Sequence, residues 1–80
     1  MPRYFFHVED EQGWIKDEEG LELPDLAAAV KEADGTAIDL AKAAIQEGQP
    51  VDGRTVVVFD EQGRPIYRLP VKRTIRQLGN

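Results

Sequence analysis

The sequence predicts an α+β domain of ββαββ order, with one antiparallel sheet and a single long helix packed on one face. Segments rich in aromatic and β-branched residues stand near both ends of the chain, as is typical of strands. Between them, apolar residues recur at helical spacing. With 80 residues, we expect one domain, in which two hairpins too small to be stable alone share a core with the helix.

The first hairpin is predicted from the aromatic residues 2–9, which form a strand. Residues 10–13 (Asp-Glu-Gln-Gly) supply turn chemistry, because glycine tolerates the backbone conformation of a tight reversal. Trp14 begins the return strand, the acidic residues 17–20 interrupt it, and Leu21 resumes it. Pro24 then ends the extended segment.

The helix is predicted to begin after Asp25, whose carboxylate can accept a hydrogen bond from an unpaired amide of the first turn. It should end near Glu47, with Gly48 as the terminating residue. Its buried stripe is expected to be mostly alanine, so the large core residues should come from the strands. The predicted stripe consists of Leu26, Val30, Ala33, Ala37, Leu40 and Ala44.

The second hairpin follows a short connector at residues 49–53. Residues 55–59 are the strongest strand signal in the chain, and residues 60–63 repeat the Asp-Glu-Gln-Gly turn before a last strand at 65–69. We assign residues 1–71 to the domain and residues 72–80 to a basic tail. Val71 at the end of the domain and Ile75 and Leu78 in the tail are spaced as on one helix face. A short amphipathic helix, a docked segment and a frayed end all remain open for this part of the chain.

Three motifs resemble a family of short, largely alphaproteobacterial proteins catalogued as a domain of unknown function. They are the aromatic strand at residues 2–8, the Asp-Glu-Glu-Gly element at 17–20 and the Glu-Leu-Pro-Asp-Leu element at 22–26. The resemblance extends to about Val71 and excludes the basic tail. It implies a cytoplasmic bacterial protein without an established activity, and therefore no catalytic residues to transfer.

A second and weaker resemblance is to antitoxins of the HicB type, in which a strand leads through a Pro-Asp-Leu element into a helix. Here that element is residues 24–26. Helix capping alone produces such junctions, since proline and aspartate both favour a helix start.

Composition argues against most catalytic sites. The chain has no cysteine or serine and one histidine, His7, which lies at strand spacing from Glu9 on one face. A general base with its orienting carboxylate is conceivable there, but a histidine packed on a sheet face is the favoured reading. The carboxylates follow no calcium-loop spacing, and no glycine pattern matches a phosphate loop. We therefore expect no enzyme, no cofactor and no metal.

The charge is unevenly distributed along the chain. Residues 1–53 carry 13 acidic and 4 basic side chains, whereas residues 54–80 carry 2 and 6. A candidate basic patch consists of Arg68, Lys72, Arg73 and Arg76. It makes a nucleic-acid-binding or antitoxin-like regulatory role the alternative function, although the net charge of −5 disfavours nucleic acid.

The favoured function is a protein-interaction module that could self-associate. Strand alternation makes both faces of the sheet apolar, yet one helix covers only one of them. The cover for the other face could be the C-terminal segment, a second copy of the protein or another protein. No apolar run is long enough for a transmembrane segment. The predicted interaction face consists of Phe5, His7, Val57, Phe59 and Tyr67.

Overall fold

A computed structural model describes residues 1–75 of the chain and confirms the α+β fold class. A five-stranded antiparallel sheet carries one long helix on one face. The elements in chain order are β1 (Arg3–Asp10), β2 (Gly13–Ile15), β3 (Leu21–Glu22), α1 (Leu26–Gln46), β4 (Thr55–Phe59), β5 (Pro65–Pro70) and a 3₁₀ turn (Val71–Thr74).

The sheet has the order β2-β1-β4-β5, and β3 also pairs with β1. The return strand of the first hairpin is thus split, because β2 pairs with the end of β1 and β3 pairs with its start. The long pairing of β1 with β4 joins the two hairpins, with Phe5 opposite Phe59 and Val8 opposite Val56. Both predicted hairpins therefore belong to one sheet.

Both ends of α1 follow from local sequence. The Asp25 carboxylate accepts a hydrogen bond from the Ala28 amide at 3.0 Å, which satisfies one free donor of the first turn. At the other end Gly48 has φ +68°, the left-handed conformation that glycine adopts without strain. The amide of Gln49 then donates to the Ala44 carbonyl at 2.8 Å and closes the helix.

The buried stripe of α1 differs in part from the predicted one. Leu26 is 44% exposed, and Val30 and Leu40 are only half-buried. Alanines fill the contact with the sheet instead, which lets the helix lie close to the strands. The buried helix residues are Ala29, Ala33, Ala37, Ala41 and Ala44.

The core lies between α1 and the sheet face that carries Tyr4, Phe6, Val56 and Val58. Tyr67 also packs there, which corrects its predicted place on the interaction face. The reason is the register of the second hairpin: Tyr67 pairs with Val58, and directly paired residues point to the same side of a sheet. A bulge near Phe59 leaves Ile66 without a Cα partner.

The 3₁₀ turn that follows β5 packs against the core. Val71 is fully buried in the core beside α1, and Thr74 is 2% exposed. The Thr74 hydroxyl donates to the Val71 carbonyl at 2.8 Å. The C-terminal segment therefore packs on the helix side as far as Thr74. The tail positions Arg76 and Leu78 lie outside the described residues.

Candidate interaction surface

The sheet face turned away from α1 carries a cluster of four rings, and we call this face the open face. His7 is at its centre, with ring centroids 4.7 Å from Phe59, 6.3 Å from Phe5 and 6.4 Å from Trp14. Trp14 also meets Phe59 edge-on at 5.9 Å. Strand pairing explains the cluster, because Phe5 lies opposite Phe59 and His7 opposite Val57. Trp14 is 42% exposed, so part of the cluster faces solvent.

The ring of His7 is oriented by the loop that follows β2. The backbone amide of Asp17 donates to His7 Nδ1 at 3.0 Å. An amide can only donate, so Nδ1 is the acceptor and the neutral ring carries its proton on Nε2. This bond holds the His7 ring in the orientation in which it packs against the other rings of the cluster.

The same loop is held against β1 by the Asp17 carboxylate. One oxygen accepts the Phe6 amide at 3.1 Å and the other accepts the Gly20 amide at 3.1 Å. Phe6 lies between the β2 and β3 pairings, so the carboxylate replaces a missing strand partner. Gly20 has φ +70°, and a β-carbon there would lie 2.8 Å from the Phe5 ring. The motif at residues 17–20 therefore fixes the loop against β1, where it contacts His7 and Phe5 of the aromatic cluster.

A second acidic turn stands on the other side of the cluster, between β4 and β5. The Arg64 amide and the Gln62 amide both donate to the Asp60 carboxylate at 2.9 Å. The Arg64 backbone hydrogen bond, with added bonding and charge from its guanidinium, holds the pKa of Asp60 below its usual value. The first turn is built alike, since the Gln12 amide donates to Asp10 at 2.8 Å.

A shallow depression of about 350 Å³ lies between these two loops, and we call it the aromatic groove. Its floor is formed by Phe5, His7 and Phe59. Its walls are residues 16–18 on one side and residues 60, 61 and 63 on the other. Trp14 lines an adjoining depression that shares His7 and Phe59. The groove therefore combines an aromatic floor with predominantly acidic walls.

The other half of the open face is covered by an ion pair. Arg68 on β5 and Glu9 on β1 meet at 2.6 Å, although β4 runs between their strands. Both side chains must therefore lean over the central strand, where Val57 pairs with His7 on one side and Arg68 on the other. Val57 was predicted to belong to the interaction face, but it is fully buried. Its side chain therefore has no exposed area with which to contact a partner.

The arrangement does not place His7 against a catalytic carboxylate. Glu9 shares the open face with His7 as predicted, but it pairs with Arg68, and His7 Nδ1 is taken by a backbone amide. Among residues 1–75, no group of three or more histidine, cysteine, aspartate or glutamate side chains is arranged to hold a metal ion. In that same part of the chain, no helix is long and apolar enough to cross a bilayer.

The structure describes three of the four residues of the candidate basic patch. Arg68 is engaged with Glu9 on the open face, whereas Lys72 and Arg73 belong to the 3₁₀ turn beside α1. Arg76 lies outside the described residues. Two further arginines are paired with carboxylates, Arg3 with Glu22 at 3.3 Å and Arg64 with Asp60 at 3.0 Å.

Sequence reasoning placed Phe5, His7 and Phe59 together but did not include Trp14 or Asp17 in the surface. Trp14 could have been found from the hairpin register, since a residue opposite Glu9 shares its face. Asp17 gave only the signal of an acidic residue three positions before a glycine. Its bond to Phe6 depends on where the loop returns to β1, which no local pattern encodes.

Comparison with known proteins identifies one family. The family model described as Domain of unknown function (DUF6894) matches residues 3–72. The match includes both hairpins, α1 and the start of the 3₁₀ turn, and it confirms the resemblance stated from the sequence motifs. None of the curated proteins and none of the solved structures matches the chain.

Proposed function

The chain belongs to the family DUF6894, whose function is unknown, and from that premise we propose that it is a non-enzymatic protein-interaction module. The observation that carries the proposal is the ring cluster on the open face, with Trp14 42% exposed. Neither α1 nor the segment through residue 75 packs on that face. Exposed aromatic clusters are enriched at protein contacts, because rigid rings bury a large area at a small entropic cost.

The groove chemistry supports binding over catalysis. The depression is shallow, whereas sites for small substrates usually enclose most of the ligand. The candidate base His7 receives a backbone hydrogen bond, and no carboxylate of residues 1–75 forms a hydrogen bond or an ion pair with it. We also propose that the protein is located in the cytoplasm. The sequence has no cysteine, so the fold needs no disulfide bonds and no oxidising compartment.

Nucleic-acid binding has less support as an alternative. Three arginines form ion pairs with carboxylates, and Lys72 and Arg73 lie in the 3₁₀ turn that packs beside α1. Titration with duplex DNA and with RNA at low salt is expected to give no binding. Salt-sensitive binding that is lost on Lys72→Gln and Arg73→Gln would reinstate this function.

The proposal is tested by selecting binders from a displayed library of random peptides on the immobilised full chain. We expect selected peptides to lose binding to Trp14→Ser and to keep binding to Ile45→Ser. Ile45 is a matched control because it is 58% exposed but lies on the helix. Binders that depend on Ile45 and ignore Trp14, or the absence of any selected binder, would refute the open face as the contact surface.

A further inference from the structure

We propose that the aromatic groove receives a positively charged side chain, arginine or lysine, from an extended segment of a partner protein. The inference rests on the proposed function and specifies the chemistry of the partner. It is carried by the pairing of an aromatic floor with acidic walls. A cation over an aromatic ring is attracted by the negative ring face, and nearby carboxylates add to this attraction.

The floor offers ring faces and edges at one place. Phe5, His7 and Phe59 lie side by side across β1 and β4, and His7 is within 4.7 Å of Phe59 between ring centroids. All three are partly exposed. The amide of Asp17 donates to His7 Nδ1 at 3.0 Å, and this bond holds the ring in its position on the floor.

The walls carry more negative than positive charge. Four carboxylates line the groove, at residues 17, 18, 60 and 61, against the single ammonium group of Lys16. Asp17 and Asp60 are occupied by bonds within their own loops. Among the described residues, no hydrogen bond or ion pair engages the carboxylates of Glu18 and Glu61. These two groups, one on each wall, are the available partners for a cation.

The same charges argue against a second copy docked face to face. A two-fold interface centred on the groove would bring the acidic walls of one copy against the acidic walls of the other. Like charges brought together at an interface oppose association. The groove is therefore complementary to a basic segment and not to itself.

The probe is an acetylated pentapeptide amide in which two arginines flank one leucine. The control is the same peptide with citrulline in place of both arginines. Citrulline keeps the length and planarity of arginine but removes its charge. Both are titrated into the isotope-labelled full chain while backbone amide shifts are recorded. We expect the arginine peptide to shift the signals of Phe5, His7 and Glu61, and the citrulline peptide to bind at least about threefold more weakly.

Charge variants of the walls sharpen the test. Glu18→Gln combined with Glu61→Gln should weaken binding of the arginine peptide by roughly threefold or more, whereas Lys16→Gln should strengthen it. Glu32→Gln is the matched control, since Glu32 is exposed on α1. Each of these positions is exposed, so the amide spectrum is expected to remain that of the folded protein.

The outcomes separate this inference from the proposed function. Equal binding of both peptides in the groove, without an effect of the wall variants, would overturn the preference for a cation and leave the interaction module intact. Groove signals that shift with protein concentration alone, together with a dimer in sedimentation, would make a second copy the occupant. An absence of peptide-induced shifts would overturn the inference, and the peptide library would then decide the proposed function separately.

Discussion

The backbone amide of Asp17 donates to His7 Nδ1 at 3.0 Å, so a loop residue determines the orientation of the central ring of the aromatic cluster. The Asp17 carboxylate also bonds the amide of Phe6, the neighbour of His7 in β1. One aspartate thus attaches the loop after β2 to both a side chain and the backbone of β1.

The tautomer of His7 follows from this bond. In its neutral form the ring is expected to carry its proton on Nε2, because Nδ1 accepts from an amide. Long-range ¹⁵N–¹H NMR correlations of the full chain at mildly alkaline pH should show an unprotonated Nδ1. A mixture of tautomers close to that of free histidine would contradict the bond.

Replacing Asp17 should destabilise the fold. Asp17→Ala removes the acceptor of the Phe6 and Gly20 amides, and we expect the free energy of unfolding to fall by about 1–3 kcal/mol. Glu18→Ala, next in sequence but free of such bonds among residues 1–75, should change it by less than about 0.5 kcal/mol. Urea unfolding measures both, and equal losses in the two variants would show that the carboxylate bonds are unimportant.

Gly20 is required for two reasons that a pair of variants separates. Gly20→Ala combines left-handed strain with a β-carbon 2.8 Å from the Phe5 ring, for an expected loss of about 2–4 kcal/mol. Gly48 has nearly the same φ, and a β-carbon added there would meet no atom within 4 Å among residues 1–75, its neighbours along the chain aside. For Gly48→Ala only the strain of about 1–2 kcal/mol should therefore remain. Thermal unfolding that ranks Gly48→Ala as the more damaging change would contradict the close contact with Phe5.

The alanine stripe of α1 should tolerate no larger residue. Ala37 is fully buried against the sheet, and Ala37→Leu is expected to cost about 1–3 kcal/mol through overpacking. Ala27→Leu places the same side chain on the exposed side of the helix, where the change should stay within about 0.5 kcal/mol. Chemical denaturation compares the two, and a neutral Ala37→Leu would mean that the helix lies farther from the sheet.

Asp60 should make stability depend on pH in the acidic range. Its pKa is lower in the folded protein than in the unfolded chain, chiefly through the Arg64 amide, so its contribution is complete above the ordinary carboxyl pKa of about 4. That contribution is lost as the pH falls through the lower, folded-state pKa. We expect Asp60→Asn to be less stable than the natural protein at neutral pH and the difference to shrink in acid.

The control for this prediction is Asp52→Asn, which alters an exposed carboxylate without a hydrogen bond among the described residues. Unfolding curves recorded between neutral pH and about pH 2 supply the comparison, since they span the range over which a carboxyl group titrates. A stability difference between Asp60→Asn and the natural protein that stays constant over this range would exclude the proposed role of the Asp60 charge.

Local patterns determined much of the architecture. Asp25 and Gly48 mark the two ends of α1, because capping and left-handed geometry depend on residues adjacent in sequence. The Asp-Glu-Gln-Gly turns at 10–13 and 60–63 were identified for the same reason. The valine-rich segment at residues 55–59, the strongest strand signal in the sequence, forms the interior strand β4 between β1 and β5.

Tertiary structure decided which side chains reach the open face. Tyr67 was predicted there, but the register of β5 against β4 turns it toward α1, and a shift of one residue reverses every side chain of a strand. The pairing of Glu9 with Arg68 joins residues 59 positions apart in sequence. Such pairs arise only when strand order and register are set by the packing of the whole core. Sequence periodicity alone therefore predicts which residues share a face of one strand, but it does not predict which residues they contact on the other strands.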